Sequence, residues 1–372
     1  MLCWPVGCAV LVLSFPLDVP GETGSSIAAE TGTRDRVIVR QEKGRGQLTH
    51  VGEITSYDAI ELVIRVRGRA VPVRVPATRL IKVVPARSAA HRRALQALAR
   101  SDIASAEAAF QEAIGTATRR WVRRDLLAGL VRCALWEGDY RRAGAHFLAL
   151  ADGNPRSRHL YLAPLDWRTR GTSTPAVSSE ARNWRIRDDD MAKLLAASHL
   201  LRDTAYAIEA ESMLRKLRTS SSRVIRDLAV AQCWRVDLRK QRPNAQQLDN
   251  WTRHLNQMPS RFRAGPAFVL GSAHATRQAW QPAASSLLWT SLVGDHDRQL
   301  AARATRDAAT ALLSDNQPAA ARTLLRDLQQ RFAETPAARE LSTSPQPDDS
   351  PSRSSSKPAP PAIPPRTRRT ES

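Results

Sequence analysis

ALWEGDYRRAGAHFLALA, residues 134–151, repeats ALARSDIASAEAAFQEAI, residues 97–114, at a constant offset of 37 residues. Ser101-Asp102-Ile103 falls on Gly138-Asp139-Tyr140, Ala106 on Ala143, Phe110 on Phe147, and Ala113 on Leu150. In each copy the last three positions are spaced i, i+4, i+7, which places them on one face of a helix. A short polar turn precedes that face. Before the turn in the second copy, Leu127, Leu130 and Ala134 mark the face of another helix. Two helices joined by a tight turn and recurring at a fixed period are the signature of a helical repeat.

The small residue followed one turn later by a large apolar one (Ala143, Phe147), with Pro155 ending the second helix, resembles the tetratricopeptide repeat (TPR). Helices approach to about 8 Å only where the crossing residue is small. The period here exceeds the family's usual value of about 34, and the Gly and Tyr of the second unit do not recur in the others.

Weaker units follow. Met191–Leu217 supplies Leu194, Leu195, Leu201, Ala210, Leu214 and Leu217. Val224–Met258 supplies Leu228, Ala231, Cys233, Trp234 and Trp251 around a turn at Pro243-Asn244. Ala284 and Leu288 stand 37 residues before Ala321 and Leu325, and Pro336 closes the series. The expected fold is therefore mainly α: a TPR-like α-solenoid of about five helix pairs, with repeats 1–2 over residues 88–155 and repeats 3–5 over 191–340. Between them, 156–190 carries Gly, Pro and Ser clusters and reads as a long loop insertion. Its Leu160, Tyr161, Leu162, Leu165, Trp167 and Trp184 predict that part of it packs back, as a plug in a groove or as filling between two half-arrays.

Ahead of the helices the period is two. Arg36–Arg40, Gln47–Thr55, Ala59–Arg67, Val71–Val75 and Leu80–Val84 are short Val/Ile-rich runs separated by turn residues. Five such strands within 34–86 predict a small closed barrel. The bend near Gly52-Glu53-Ile54 and the one-turn connector before Arg79 resemble SH3-like and Sm-like barrels in layout.

The net charge is +20, and Arg supplies almost all of the positive side: only six of the 56 basic residues are Lys. Such a field attracts nucleic acid, acidic polysaccharide or other polyanions, and an Arg-rich coding bias accounts for it equally well. Half of the excess lies within Arg34–Arg100. On the third strand, alternation places Arg65, Arg67 and Arg69 in a basic stripe, whose plainer role is to keep an edge soluble. Aromatic platforms for single-stranded nucleic acid are lacking there, since Tyr57 is the sole aromatic.

In the TPR family the first helix of each pair lines the concave side. That resemblance implies a peptide-binding groove formed by Asp125, Arg132, His199, Arg202, Arg303 and Arg306, suited to acidic peptides held through bidentate Arg contacts.

At the start of the chain, residues 1–22 read as a signal peptide. The apolar run Val6–Phe15 is too short to span a bilayer and fits an h-region, with cleavage before Glu22. Cys8 marks the less favoured lipoprotein alternative. Residues 23–33 are a linker, and 341–372 a disordered Pro/Ser-rich tail. An extracytoplasmic location, periplasmic or secreted, is expected, with the cytoplasm as the alternative. No integral membrane segment is expected beyond the signal region.

No catalytic motif, cofactor or metal site emerges. Asp188-Asp189-Asp190 reads as helix capping, and Cys133 and Cys233 as buried apolar residues. The expected function is a non-enzymatic protein-binding scaffold. The alternative is a polyanion binder acting through the β module.

Overall fold

A computed structural model of the chain describes residues 34–42, 46–169, 171 and 174–343. The expected signal peptide, the linker to residue 33 and the tail beyond residue 343 lie outside the described residues; residues 341–343, expected in that tail, instead end the last helix.

Five strands come first: β1 Asp35–Arg40, β2 Gln47–Tyr57, β3 Glu61–Val66, β4 Val73–Pro76 and β5 Leu80–Val84. They pair antiparallel in the order β4-β3-β2-β1-β5. The long β2 pairs with β1 through its first half and with β3 through its second, and a register shift falls between Ile54 and Ser56. At the β2–β3 turn the Asp58 carboxylate accepts the Ile60 and Glu61 amides at 2.7 and 2.9 Å. Val37, Val39, Ile54, Leu62, Ile64 and Val75 form its buried face. The expected closed barrel is not seen: among the described residues β4 and β5 are the two edges of an open sheet and do not pair.

Fourteen helices follow among the described residues: α1 Ala89–Ala99, α2 Ile103–Thr116, α3 Arg120–Glu137, α4 Tyr140–Ala151, α5 Pro175–Arg185, α6 Asp190–Leu200 and α7 Ala207–Leu217, then α8 Arg223–Lys240, α9 Ala245–Gln257, α10 Ala264–Thr276, α11 Trp280–Val293, α12 Arg298–Ser314, α13 Pro318–Arg331 and α14 Pro336–Thr343. The sheet docks on the start of α3. Trp121 joins its apolar face and donates from Nε1 to the Ile54 carbonyl at 2.8 Å. Arg119 bonds Asp35 at 2.6 Å, and the same buried carboxylate accepts the amides of Ile54 and Ala86.

The repeat is visible in the turns. Ser101, Gly138, Gln278 and Asn316 all have left-handed φ, between 58° and 75°. In each case the amide one residue later reaches back five residues: Asp102 to Ala97, Asp139 to Ala134, Ala279 to His274, and Gln317 to Leu312. This is a Schellman-type helix end. The four turns join α1 to α2, α3 to α4, α10 to α11 and α12 to α13.

Five residues beyond each left-handed residue stands a fully buried alanine: Ala106, Ala143, Ala283 and Ala321. For the third of these the sequence-based register was off by one. The structural equivalents are Ala283 and Leu287, where Ala284 and Leu288 had been expected, because the turn before α11 is reached one residue earlier.

A second correction concerns 156–190. That stretch contains the helix α5, whose Val177, Ala181 and Trp184 are buried at i, i+4 and i+7. The Gly, Pro and Ser residues before it mask the period. Helix α5 packs against α6.

Candidate functional site

The segment from Arg158 to Thr169 crosses the interior of the helical array. Leu160, Leu162, Leu165 and Trp167 belong to the main apolar core. Trp167 lies so close to α10 that a Cβ on Gly265 would sit 1.9 Å from its indole. Only glycine permits that approach.

Asp166 is the polar centre of this segment and is 3% exposed. Its carboxylate accepts from Arg168 Nε at 2.8 Å and from Arg202 Nε at 2.7 Å. Its amide donates to Ser198 Oγ, and its carbonyl accepts from Gln232 Nε2 at 3.1 Å. Arg235, 1% exposed, donates to the carbonyls of Arg168 and Ser198 at 2.8–3.0 Å, and its Nη1 donates to the Gln232 amide oxygen. Burial opposes charge on both partners. It lowers Arg235 to about 10. On Asp166 burial is outweighed by Arg235 and Arg168, which hold the carboxyl well below the usual carboxylate range. His199 Nε2 donates to the Pro164 carbonyl at 2.9 Å. Burial pushes its pKa down to about 4. Side chains of α6 and α8 thus satisfy backbone groups of this segment from Pro164 to Arg168.

Four of the six expected groove residues meet this segment. Asp125 accepts from Arg158 at 2.5 Å and pairs with His159 Nε2 at 2.9 Å. Arg132 donates to the Tyr161 hydroxyl at 2.6 Å. His199 and Arg202 bond Pro164 and Asp166. The remaining two, Arg303 and Arg306 on α12, form no hydrogen bond or ion pair with it. They line a separate cleft of about 740 Å³ at its C-terminal end, together with Arg168, Arg239 and a floor of Leu238, Phe268, Trp280 and Leu287.

Within that cleft the arginines differ. Arg306 is paired with Asp307 and Glu340 at 3.1 and 2.5 Å. Arg168 is held by Asp166, and Arg239 donates to the Leu201 carbonyl. Arg303 is half-buried and makes no hydrogen bond or ion pair among the described residues. Asp307, at the same wall, is raised from its ordinary value by burial, an effect that Arg306 and Arg303 only partly offset.

The expected basic stripe on β3 is corrected in part. That strand ends at Val66, so Arg67 and Arg69 lie in and beyond the turn that follows, and only Arg65 sits on the strand. All three nevertheless face one cleft of about 580 Å³, joined there by Arg34 and Arg119. Two carboxylates also line it: Asp35 is consumed by Arg119, and Glu53 lies 3.7 Å from Arg65.

Among the described residues, no group of His, Cys, Asp or Glu is placed to hold a metal ion, and no helix is long and apolar enough to cross a membrane. Asp189 caps α6 by accepting the Met191 and Ala192 amides.

Sequence reasoning missed Asp166, Arg168, Ser198, Gln232 and Arg235. The apolar content of the segment announced that it packs inward, but polar partners distributed over α6 and α8 carry no spacing signal. No protein-family model, curated protein or solved structure matches this chain.

Proposed function

We propose that the protein is a non-enzymatic binding scaffold of TPR-like construction, acting outside the cytoplasm, whose open peptide site is the α8–α10–α11–α12 cleft. The ligand is an acidic peptide of a partner protein. The supporting observation is Arg303: a half-buried guanidinium that makes no hydrogen bond or ion pair among the described residues, facing a cleft of about 740 Å³ over an apolar floor. A carboxylate there gains a charge-assisted, bidentate contact. Phe268, Leu238, Trp280 and Leu287 offer burial to a neighbouring apolar side chain.

The test is fluorescence anisotropy with a labelled peptide of alternating Glu and Leu. Arg303→Ala is expected to weaken binding by about 10- to 100-fold, the worth of a hydrogen bond to a charged group. Equal binding by wild type and Arg303→Ala would remove the site.

The cleft lined by Arg34, Arg65, Arg67, Arg69 and Arg119 favours a second reading, in which the β module takes a polyanion. Binding through phosphates or sulfates falls steeply with salt. Groove binding anchored by apolar contacts falls much less.

A further inference from the structure

At the other end of the internal segment lies a hollow that neither reading uses. It has a volume of about 340 Å³ and is built from residues of the sheet, α1, α2, α3, the segment itself and the α9–α10 connection. A second hollow of about 350 Å³ continues it, sharing Leu98, Arg132, Tyr161 and Arg261. Their combined size suits a small molecule.

Four guanidiniums, those of Arg87, Arg132, Arg158 and Arg261, line the first hollow against a single carboxylate, Asp125. That carboxylate is already engaged by Arg158 and His159. Arg87 and Arg261 form no hydrogen bond or ion pair through their side chains among the described residues. Arg132 spends one amino group on Tyr161, but its buried Nε has no partner, and neither has the buried Nδ1 of His91 on the adjacent wall. Burial lowers the pKa of Arg87, Asp125 opposes that shift, and the like charge of Arg158 adds to it less than Asp125 takes away. Leu95, Leu98 and Phe110 supply an apolar wall.

We propose that this hollow binds a small phosphate monoester with an apolar or aromatic body. One carboxylate carries one charge and serves one guanidinium fork. A phosphate monoester brings nearly two charges and three strong acceptor oxygens, enough for guanidiniums arriving from Arg87, Arg132 and Arg261 together. Its body rests on the Leu95, Leu98 and Phe110 wall. The site is separate from the Arg303 cleft and stands or falls independently of it.

The test is isothermal titration calorimetry on the full chain with phenyl phosphate, inorganic phosphate and benzoate as probes. Phenyl phosphate is expected to bind at least about tenfold more tightly than either of the others, since it alone satisfies both head and body. Arg261→Gln, at an exposed position where the fold is not at stake, and Arg132→Met are each expected to weaken it by about tenfold or more. Loss of this binding in Arg303→Ala would place phenyl phosphate in the other cleft and overturn the proposal. The proposal is overturned if benzoate matches phenyl phosphate, if phenyl phosphate shows no saturable binding at millimolar concentration, or if Arg261→Gln binds as wild type does.

Discussion

The Tyr140 phenol donates to both carboxylate oxygens of Asp297, at 3.1 and 3.0 Å, across 157 residues of chain. Asp297 also caps α12 by accepting the Leu300 amide. Beside it Arg298 stacks 3.9 Å from the Trp136 ring, and Gln299 donates to the Trp136 carbonyl. The α3–α4 corner is thus fastened to the start of α12, and the internal segment is enclosed between early and late helices. Tyr140→Phe leaves Asp297 buried with one donor fewer, at a cost of about 1–3 kcal/mol. Urea denaturation followed by Trp fluorescence measures this. An unchanged midpoint would show that the corner contributes nothing to holding the array together.

Asp166 supplies a harsher test. Asp166→Ala removes the carboxylate that Arg202 bonds and that offsets the buried charge of Arg235, and breaking a buried pair from one side costs about 3–5 kcal/mol. Arg168→Met removes a partner that is partly exposed and leaves Arg202 in place, so its cost is expected to be smaller. Comparable losses for the two variants would mean that the network is not centred on Asp166.

Much of this architecture was legible from local pattern. The 37-residue offset located α1–α4, because Ala106, Ala143, Phe110 and Phe147 sit where close helix crossing demands a small residue beside a large one. Strand alternation located β1–β5 for the same local reason. The enclosure was not legible, because Tyr140 and Asp297, or Asp166 and Arg235, are brought together only by the path of the array. Helix α5 was hidden by the Gly- and Ser-rich approach to Pro175. The one-residue slip at Ala284 arose because spacing was carried over from another unit, whereas the turn at Gln278 sets the register.

Stability should fall as the solution is acidified through a defined window. Burial pushes His91, His199 and His296 down to about 4. An unfolded imidazole titrates at about 6.5. Between those values the unfolded chain binds more protons, so stability declines as pH drops from about 6.5 to about 4 and the effect is complete below that. Asp166 acts separately: its depressed folded pKa contributes stability present above about 3.9 and lost below it. Thermal melts from pH 7 to 4 should show the first decline. His199→Gln keeps a donor toward Pro164 and should flatten it. A slope that His199→Gln does not change would assign the acid sensitivity elsewhere.

The repeated turns make a prediction about strain. Ser101, Gln278 and Asn316 adopt the left-handed conformation that Gly138 occupies in the equivalent turn. For an ordinary L-residue that conformation costs roughly 1–2 kcal/mol. Asn tolerates it better because its short side chain bonds locally. Replacement by glycine removes the strain but loosens the unfolded chain by about 0.4–1 kcal/mol. Gln278→Gly should therefore raise stability by roughly 0.5–1 kcal/mol, and Asn316→Gly by less. Gly138→Ala should lower stability by about 1 kcal/mol, and Gly138→Val by more, since branching at Cβ crowds this region further. Chemical denaturation of the four variants ranks them. A loss of stability in Gln278→Gly would show that its side chain, not its backbone, decides the turn, and the equivalence of the four helix pairs would then rest on their alanines alone.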